Sequence, residues 1–414
     1  MSVIVQKFGG TSVADMDRIR SVADRVESAV KDGHKVTVVV SAMAGVTNQL
    51  VEWVREAANG NIDAGHDCEY DCEYDSVVST GEQVTSGLLA CVLQGRGIKA
   101  RSWLGWQLPV HTEGLHSRAR ITAIETEKLV SGLDACEVQV VAGFQGIDDD
   151  GRIATLGRGG SDITAVALAA ALGADRCDIF TDVDGVYTTD PRIVPKARKL
   201  DKITYEEMLE MASLGAKVLH TRSVELAMKH NVCLQVLSSF SDAPGTLVVD
   251  EEDMLEQELV SGITYSRDEA KVTLVQVPDR PGVAASIFGP LADAEVNVDM
   301  IVQNVSEDGN ATDLTFTVAQ GDIDAAIAVL ESKKDDLGYG ALVPDPNVVK
   351  ISVIGVGMRS HAGVAQKMFQ IMAEKGINIQ VISTSEIKIS ILVAEEYTEL
   401  AVRSLHTAYN LDQD

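Results

Sequence analysis

Hydrophobic positions along about the first 240 residues follow two periods, one typical of buried strands and the other of amphipathic helices. Runs rich in Val and Ile predict strands at 2–6, 35–40, 98–103, 138–144 and 177–181. Apolar residues spaced three and four apart predict helices at 16–30, 46–57, 76–93 and 161–172. Because strands that alternate with helices in this way lie parallel and need cover on both faces, we predict a three-layer α/β domain with a mostly parallel sheet.

Beyond residue 240 the chain repeats itself. Turn residues at Asp242–Gly245 and an acidic connector at 250–258 mark the change. Lys271-Val-Thr-Leu-Val then parallels Lys350-Ile-Ser-Val-Ile at an offset of 79 residues. Each copy shows the pattern strand, turn, helix, strand, so we predict two ferredoxin-like βαββαβ modules. The predicted organisation is an N-terminal domain at 1–245, a linker at 246–262, a first module at 263–340 and a second module at 341–414.

The charge balance excludes several classes of partner. The chain has 35 Lys and Arg against 62 Asp and Glu, a formal net charge of −27, which repels polyanions and predicts no nucleic-acid partner. The longest apolar runs are shorter than the roughly 20 residues of a membrane span, so we expect no membrane partner. Six scattered cysteines suggest no disulfide framework, and no leader-like start is visible. We therefore expect a cytoplasmic protein.

Two glycine pairs, each next to a cation, precede predicted helices. Lys7-Phe8-Gly9-Gly10 follows the first predicted strand, and Arg158-Gly159-Gly160-Ser161-Asp162 opens the helix at 161. Glycines let backbone N–H groups approach an anion, and a helix N-terminus adds partial positive charge. A tight turn would explain either pair alone, and Ser161 could simply be an N-cap. Two such turns together predict an anion-binding site.

A third polar segment, Thr181–Arg192, follows the predicted strand at 177–181. Ligands of open parallel sheets bind at the carboxyl ends of strands, so one interpretation is a nucleotide-binding loop. The alternative is an Asx-rich loop that satisfies its own backbone. Lys217 could reach the same phosphates, or it could be an ordinary solvated lysine.

An acidic segment at 67–75 consists of a duplicated Asp-Cys-Glu-Tyr unit. Cys68 and Cys72, with His66, could be metal ligands, but three soft ligands at this spacing do not match a standard zinc finger. We therefore expect an exposed acidic loop and no metal site.

Taken together, these motifs resemble those of the aspartate kinases in the amino acid kinase superfamily. The matching segments are Lys-Phe-Gly-Gly-Thr-Ser at 7–12, Val-Val-Ser-Ala-Met at 39–43, Gly81-Glu82, Leu-Gly-Arg-Gly-Gly-Ser-Asp at 156–162, Thr181–Arg192 and Ser383–Glu386. The resemblance covers nearly the whole chain, and the two modules are similar to ACT domains. Two departures are the acidic insertion at 59–75 and Ala362, where the family often has proline.

The resemblance implies transfer of the ATP γ-phosphoryl group, with Mg²⁺, to the side-chain carboxylate of L-aspartate. The product would be 4-phospho-L-aspartate, on the route to lysine, threonine and methionine. The implied catalytic residues are Lys7 and Asp162. The implied aspartate-binding residues are Ser41, Thr47, Glu82, Arg158 and Ser161, with Glu82 facing the ammonium and Arg158 a carboxylate. The implied ATP-binding residues are Lys7, Phe8, Gly9, Gly10, Thr181, Asp182, Tyr187, Asp190, Arg192 and Lys217.

Elementary chemistry agrees with this reaction. An aspartate side chain is already ionised at neutral pH, so no strong general base is needed. Catalysis would come from positioning and from neutralising charge where two anions meet. Asp162 would then orient Lys7 or the metal-bound phosphates rather than remove a proton.

For the ACT-like modules, the resemblance implies feedback inhibition by lysine, threonine or both. The predicted effector-binding residues are Asp279, Gly282, Asn297, Val298, Asp299 and Gln303 in the first module and Ser360, Asn378, Thr384 and Ser385 in the second. The alternative is that these turns only close each module. Some family members start a shorter regulatory subunit internally, and Met254 stands at such a place. The assembly would be a homo-oligomer, or α₂β₂ if that start is used.

Two other functions are alternatives to this one. A superfamily kinase acting on glutamate, acetylglutamate or carbamate would lack the paired modules. An amino-acid-sensing protein with an inactive kinase half would not need Lys7, Arg158 and Asp162 together.

Overall fold

The structure is a computed structural model of the 414-residue chain, and it describes residues 2–58, 68–215, 218–253, 259–305, 311–361 and 363–413. The chain forms two compact units. The first contains the described residues within 1–186, 199–212 and 217–255, and the second those within 187–198, 213–216 and 256–414. In the described part of the chain, no helix has the length and apolar character needed to cross a membrane.

Before residue 250, strands and helices alternate as predicted, with additional short elements. The strands are β1 (Val3–Phe8), β2 (Lys35–Val40), β3 (Ala100–Trp103), β4 (Val110–Glu113), β5 (Arg120–Ile124), β6 (Val138–Ala142), β7 (Gln145–Ile147), β8 (Ile153–Thr155), β9 (Arg176–Thr181), β10 (Lys202–Thr204), β11 (Leu234–Ser238) and β12 (Thr246–Val249). The helices are α1 (Met16–Lys31), α2 (Val46–Ala57), α3 (Cys68–Val78), α4 (Thr80–Gly95), α5 (Glu127–Asp134), α6 (Gly160–Leu172), α7 (Tyr205–Ser213) and α8 (Thr221–His230).

An eight-stranded sheet forms the centre of the first unit, in the order β10-β12-β11-β9-β1-β2-β6-β3. The six strands from β11 to β3 are parallel, and β12 is antiparallel to β11. Ile4 and Val38 pack with α1 and α4 in one core cluster. Val5 and Val39 alternate with them and point to the opposite face, where α6 contacts the same strands. The predicted three-layer α/β architecture is confirmed.

A second sheet of the first unit, in the order β5-β4-β7-β8, was not predicted from the sequence. Its strands are three to five residues long and carry several polar residues. Such strands are too short to show a period of two, which explains why the pattern of apolar residues did not reveal them.

The expectation of an exposed acidic loop at 67–75 is wrong for the residues that the structure describes. Residues 68–78 form α3, and a break at Ser79 separates it from α4, where one helix at 76–93 was predicted. Asp75 is fully buried, and the side-chain and backbone donors around its carboxylate offset the cost of burying it. Residues 59–67, with His66, and the side chain of Cys68 lie outside the described part.

Two antiparallel sheets form the second unit. Their strands are β13 (Gly262–Ser266), β14 (Ala270–Pro278), β15 (Val298–Val305), β16 (Ala311–Val318), β17 (Ala341–Asp345), β18 (Val348–Ile354), β19 (Val381–Thr384) and β20 (Lys388–Ala394). The helices are α9 (Val283–Asp293), α10 (Ile323–Ser332), α11 (Lys334–Leu337), α12 (Val364–Glu374) and α13 (Thr398–Ala408). The sheet orders are β15-β16-β14-β17 and β13-β18-β20-β19, so each module has the ferredoxin-like strand and helix pattern.

The two modules do not divide at residue 340. Strand β13 lies at the start of the predicted first module but pairs antiparallel with β18 of the second. Strand β17 follows the predicted boundary but pairs with β14 of the first. The two sheets are therefore interleaved along the chain.

Residues 187–198, which the sequence places in the N-terminal domain, belong to the second unit. Ile193 and Val194 are buried in the core that β18 and α13 also line. The backbone N–H of Ile263 donates to the carbonyl of Thr188 at 2.7 Å, and Arg403 Nε donates to the carbonyl of Ile193 at 2.9 Å. Two apolar residues in a polar segment thus anchor it to this core.

Candidate active site

The carboxyl ends of the parallel strands bring several predicted site residues to one edge of the central sheet. β1, β2 and β9 are neighbours, so the segments that follow Phe8, Val40 and Phe180 lie side by side. The backbone N–H of Gly9 donates to the carbonyl of Phe180 at 3.3 Å, and that of Ser41 donates to the carbonyl of Phe8 at 3.1 Å. This edge is where open parallel sheets bind their ligands.

Lys7 provides a cation at this edge. Its Nζ lies 2.6 Å from a carboxylate oxygen of Asp162, and both side chains are largely buried. Asp162 belongs to the first turn of α6, whose N-terminus carries partial positive charge. A Cβ added at Gly9 would lie 3.4 Å from Lys7 Nζ, so the glycine backbone passes directly beside the ammonium. The arrangement suits a polyanionic ligand such as a phosphate chain.

The turn before α6 depends on its glycines. Gly157 and Gly159 have φ angles of +76° and +73°, a conformation that favours glycine. A Cβ at Gly159 would lie 2.4 Å from the ring of His220. Arg158, between the two glycines, is exposed and forms no ion pair with any residue that the structure describes. Its guanidinium is therefore accessible to an anionic ligand.

Glu82 supplies a buried carboxyl in the first turn of α4. It is 4% exposed, and its Oε1 accepts a hydrogen bond from the backbone N–H of Ala42 at 3.0 Å. Its other oxygen has no hydrogen-bond partner among the described residues. Burial raises the pKa of Glu82 to about 7, although the Ala42 hydrogen bond opposes that rise. A cationic ligand group would compensate the ionised form.

Phe8 differs from its neighbours in the glycine turn. Its side chain is fully buried and stacks on Phe180, with ring centroids 4.6 Å apart. Only the backbone of Phe8 is thus available at the edge of the sheet. Thr47 lies in the first turn of α2 and is half-buried, and Ser161 lies in the first turn of α6.

The predicted ATP-binding residues fall into separate units. Thr181 ends β9 in the first unit and Asp182 follows it, and the Thr181 hydroxyl donates to Asp182 at 3.1 Å. Tyr187, Asp190 and Arg192 belong to the second unit. There Asp190 accepts hydrogen bonds from Arg192 and from the hydroxyl of Tyr265, and chiefly the Arg192 contact lowers its pKa. Lys217 lies outside the described residues.

Residues that sequence reasoning missed also reach this edge. The His220 ring lies over the position of Gly159, and burial lowers the pKa of His220, against the opposing charge of Asp162. His220 directly precedes α8 and belongs to no motif, so nothing in the sequence singles it out.

Another missed contact joins the hydroxyls of Ser12 and Ser239 at 2.5 Å. Ser239 follows β11, which is parallel to β9. The sequence analysis did not predict β11. A prediction of that strand would have indicated Ser239, because ligands of open α/β sheets bind at the carboxyl ends of the strands.

The predicted effector residues lie in the second unit, mostly at its surface. Gly282 has a φ of +91° and immediately precedes α9, and Gly363 has a φ of +107° before α12, so both modules open a helix in the same way. The residues Asp279, Asn297, Gln303, Asn378, Thr384 and Ser385 are exposed, and Val298 is half-buried. The side chain of Ser360 and residue Ala362 lie outside the described part.

Asp299 already has a cationic partner. Lys350 Nζ lies 2.9 Å from its carboxylate and also pairs with the buried Glu269. Met300 of β15 and Val381 of β19 share a buried cluster, so the edge strands of the two modules pack together. Asp299 is thus at a junction between the modules.

Among the residues that the structure describes, no group of three or more His, Cys, Asp and Glu side chains is arranged to hold a metal ion.

Comparison with known families identifies the class of protein. The model described as the amino acid kinase family matches residues 2–238, and models of the ACT domain match 271–335 and 351–409. The glycine turns, the parallel sheet and the paired modules therefore define an amino acid kinase with two ACT domains.

Comparison with individual proteins shows to which family of amino acid kinases the chain belongs. The aspartate kinase of Pseudomonas fluorescens (strain SBW25) is 55% identical over 413 residues, covering 100% of this chain and 98% of that protein. The structure of E. coli aspartokinase III in complex with aspartate and ADP (R-state) has a TM-score of 0.79 at 29% identity, covering 98% of this chain and 99% of that one. The same enzyme with lysine and aspartate (T-state) has a TM-score of 0.77 at 28% identity, covering 99% of each. The chain belongs to the aspartate kinases, which are ATP-dependent enzymes.

The raised pKa of Glu82 predicts a pH-dependent cost in stability. The pKa is 4.5 in the unfolded chain and about 7 in the folded one, so the protonated form is favoured by folding. The contribution of Glu82 to the free energy of unfolding is fully present below pH 4.5 and is lost as the pH rises to 7. We expect Glu82→Gln to increase the free energy of unfolding by about 3 kcal/mol at pH 8 and by under about 1 kcal/mol at pH 5.

Urea unfolding of the full chain at the two pH values measures this difference. Glu52→Gln, at an exposed position on α2, is the matched control and should change neither value. Equal effects of Glu82→Gln at both pH values would contradict the assignment.

Proposed function

We propose that the protein transfers the γ-phosphoryl group of ATP to the side-chain carboxylate of L-aspartate, forming 4-phospho-L-aspartate and ADP. The observation that supports this most is the ion pair of Lys7 and Asp162, located between the Gly9-Gly10 turn and the N-terminus of α6. It combines a cation, backbone N–H groups and a helix dipole at one edge of the sheet. The aspartate and ADP named for E. coli aspartokinase III support the same substrates.

The chemical difficulty of this reaction is electrostatic. The nucleophile is an ionised carboxylate and the electrophile is a phosphate chain, so their mutual repulsion must be offset. Lys7 and the N-terminus of α6 would stabilise charge as it develops on the transferred group. Asp162 is placed to orient the Lys7 ammonium by its 2.6 Å contact, and no proton needs to be removed from the nucleophile.

We propose that ATP binds with Mg²⁺, which neutralises phosphate charge. Asp162 and Asp182 follow or begin elements at the same edge and offer the hard oxygen ligands that Mg²⁺ prefers. Most of its ligands would be phosphate oxygens and water. The adenine nucleotide would be held by residues that follow β1 and β9, with the further candidates Tyr187, Asp190, Arg192 and Lys217.

Aspartate would be held through its charges and hydrogen-bonding groups. Arg158 offers a two-pronged donor for a carboxylate from an exposed position between glycines. Glu82 would face the ammonium, since its second oxygen has no partner among the described residues. The hydroxyls of Ser41, Thr47 and Ser161 would complete the site.

Two substitutions separate binding from chemistry. Arg158→Ala removes a charge-assisted contact worth about 1.5–3 kcal/mol, so the KM for aspartate should rise about 10- to 150-fold. Lys7→Ala should instead lower kcat, because the ammonium matters most in the transition state. ADP release, with hydroxylamine trapping of the acyl phosphate, measures both.

Arg55→Ala, at an exposed position of α2, serves as the control and should behave as wild type. Near-normal kinetics of both Arg158→Ala and Lys7→Ala would rule out this site.

We further propose that lysine, threonine or both inhibit the enzyme through the ACT domains, as feedback on the pathway to lysine, threonine and methionine. The exposed Asp279 and the left-handed Gly282 before α9 offer an ammonium acceptor and an open backbone for a ligand carboxylate. Asn297, Asp299 and Gln303 would contribute from the same module, and residues of the second module would complete the interface. The lysine named for the T-state of E. coli aspartokinase III supports such an effector.

Asp279→Ala should abolish inhibition while leaving uninhibited kcat within a few-fold, because the inhibitor acts through a coupling of about 1–3 kcal/mol rather than at the reacting groups. Aspartate turnover with and without millimolar lysine plus threonine tests this. Asp293→Ala, exposed at the other end of α9, should remain inhibited. Indifference of the wild-type enzyme to both amino acids would show that the modules are not regulatory.

The assembly is proposed to be a homo-oligomer, or α₂β₂ if translation also starts at Met254. Met254 lies outside the described residues, but a chain that begins there would contain both ACT domains. We also propose a cytoplasmic location, which the scattered spacing of the six cysteines in the sequence favours.

An internal start predicts a second chain of residues 254–414 when the native gene is expressed, visible by intact-mass analysis. Met254→Leu should remove that chain and leave the full-length one. Detection of full-length chain alone in the wild type would exclude α₂β₂ in favour of a homo-oligomer.

A further inference from the structure

The carboxylate of Asp75 is surrounded by hydrogen-bond donors in the interior of the first unit. Thr155 donates its backbone N–H at 2.8 Å and its hydroxyl at 2.5 Å. The backbone N–H of Ser117 donates at 3.1 Å, and Nδ1 of His116 lies 2.8 Å away. A fully buried carboxylate needs such donors, so these contacts hold α3, the segment at 116–117 and the end of β8 together.

Thr155 connects this cluster to the turn that carries Arg158. It is the last residue of β8, and the turn that carries Arg158 begins directly after it. At Gly157, the first glycine of that turn, an added Cβ would lie 2.7 Å from the carbonyl oxygen of Ser117. The turn therefore rests against the same segment that Asp75 holds.

Arg222 of α8 holds the turn from a second direction. Its guanidinium donates to the carbonyl of Leu156 at 2.7 Å and to the carbonyl of Ala119 at 2.9 Å. Backbone bonds add to this, because the N–H of Leu156 donates to the carbonyl of Phe144 at 2.9 Å. The start of the turn is thus fixed by charged groups on both α3 and α8, while the Arg158 side chain itself is exposed.

Neither Asp75 nor Thr155 has surface that a substrate could touch, since both are fully buried. The remaining edge of His116 faces Cys72 Sγ at 3.0 Å and a carboxylate oxygen of Asp148 at 3.4 Å, which places it within the same polar cluster. Any influence of this cluster on the reaction must therefore pass through the backbone of the turn.

We propose that Asp75 is a positioning residue for aspartate binding, acting through Thr155 to fix the turn that presents Arg158. The inference rests on the proposed function in one respect, the role of Arg158 in holding a substrate carboxylate. This role would give the duplicated Asp-Cys-Glu-Tyr segment a function, because its last aspartate, Asp75, holds the backbone of the turn that carries Arg158.

Asp75→Asn tests this role, since it keeps the side chain's size but turns an N–H₂ group toward groups that are themselves donors. We expect the KM for aspartate to rise at least about tenfold, because small displacements of a binding group have large kinetic effects. The KM for ATP should rise much less, by no more than about twofold, because none of the hydrogen bonds described for Asp75 is to the Gly9-Gly10 turn. A residue important only for folding would not separate the two constants.

Two further variants make the test independent of folding problems. Thr155→Val removes only the hydroxyl donor and should raise the KM for aspartate in the same direction but less. Glu73→Gln is the matched control, because Glu73 is exposed on the same helix and pairs with Arg152; it should leave both KM values unchanged. Urea unfolding of each variant checks that the first unit is intact.

A double-mutant cycle decides whether Asp75 acts through Arg158. In an Arg158→Ala background, Asp75→Asn should raise the KM for aspartate by less than about twofold. An unchanged KM in Arg158→Ala alone would refute the proposed function of Arg158. If Arg158→Ala raises the KM for aspartate as expected, three results would overturn the positioning role. The first is an unchanged KM for aspartate in both Asp75→Asn and Thr155→Val, and the second is an equal rise in the KM values for aspartate and ATP. The third is a double variant whose rise in the KM for aspartate equals the product of the rises in Arg158→Ala and Asp75→Asn.

Discussion

The ion pair of Lys7 and Asp162 joins two turns that are far apart in sequence, and the geometry of the candidate site depends on it. A largely buried ammonium is costly unless a carboxylate lies close by, and the 2.6 Å contact supplies one. Because Lys7 is the next-to-last residue of β1 and Asp162 lies in the first turn of α6, pairing them places a glycine turn beside a helix N-terminus. Groups with the charge and geometry suited to a phosphate are thereby concentrated at one edge of the sheet.

A comparable constraint operates in the second unit. Lys271 and Lys350 occupy equivalent positions in the repeat, and each reaches the other module: Lys271 contacts Gln380, and Lys350 contacts Asp299. Although burial lowers it, the neighbouring carboxylates raise the pKa of Lys350 above its usual value, so the charge persists. These crossed contacts, with the interleaved strands, pack the two ACT domains into one compact unit.

Prediction from the sequence succeeded where the pattern of apolar residues within a single segment was enough to identify the element. The apolar run Lys35–Val40 and the helix Val46–Ala57 have the predicted bounds, because both are bounded by turn residues and are long enough to show a period. It failed at the sheet of β4, β5, β7 and β8, and at α3. Those elements are short or polar, and they are stable because other segments pack on them.

The sequence by itself determined the family, the α/β and ferredoxin-like architecture, and a set of candidate site residues, since glycine turns, cations and repeats are local features. Only the tertiary structure decided that Asp75 is buried beneath the turn of Arg158, that His220 covers Gly159, and that residues 187–198 belong to the second unit. The physical reason is that burial, and with it the need for hydrogen-bond partners, depends on remote segments that pack against a residue. A sequence pattern reports only on the segment that contains it.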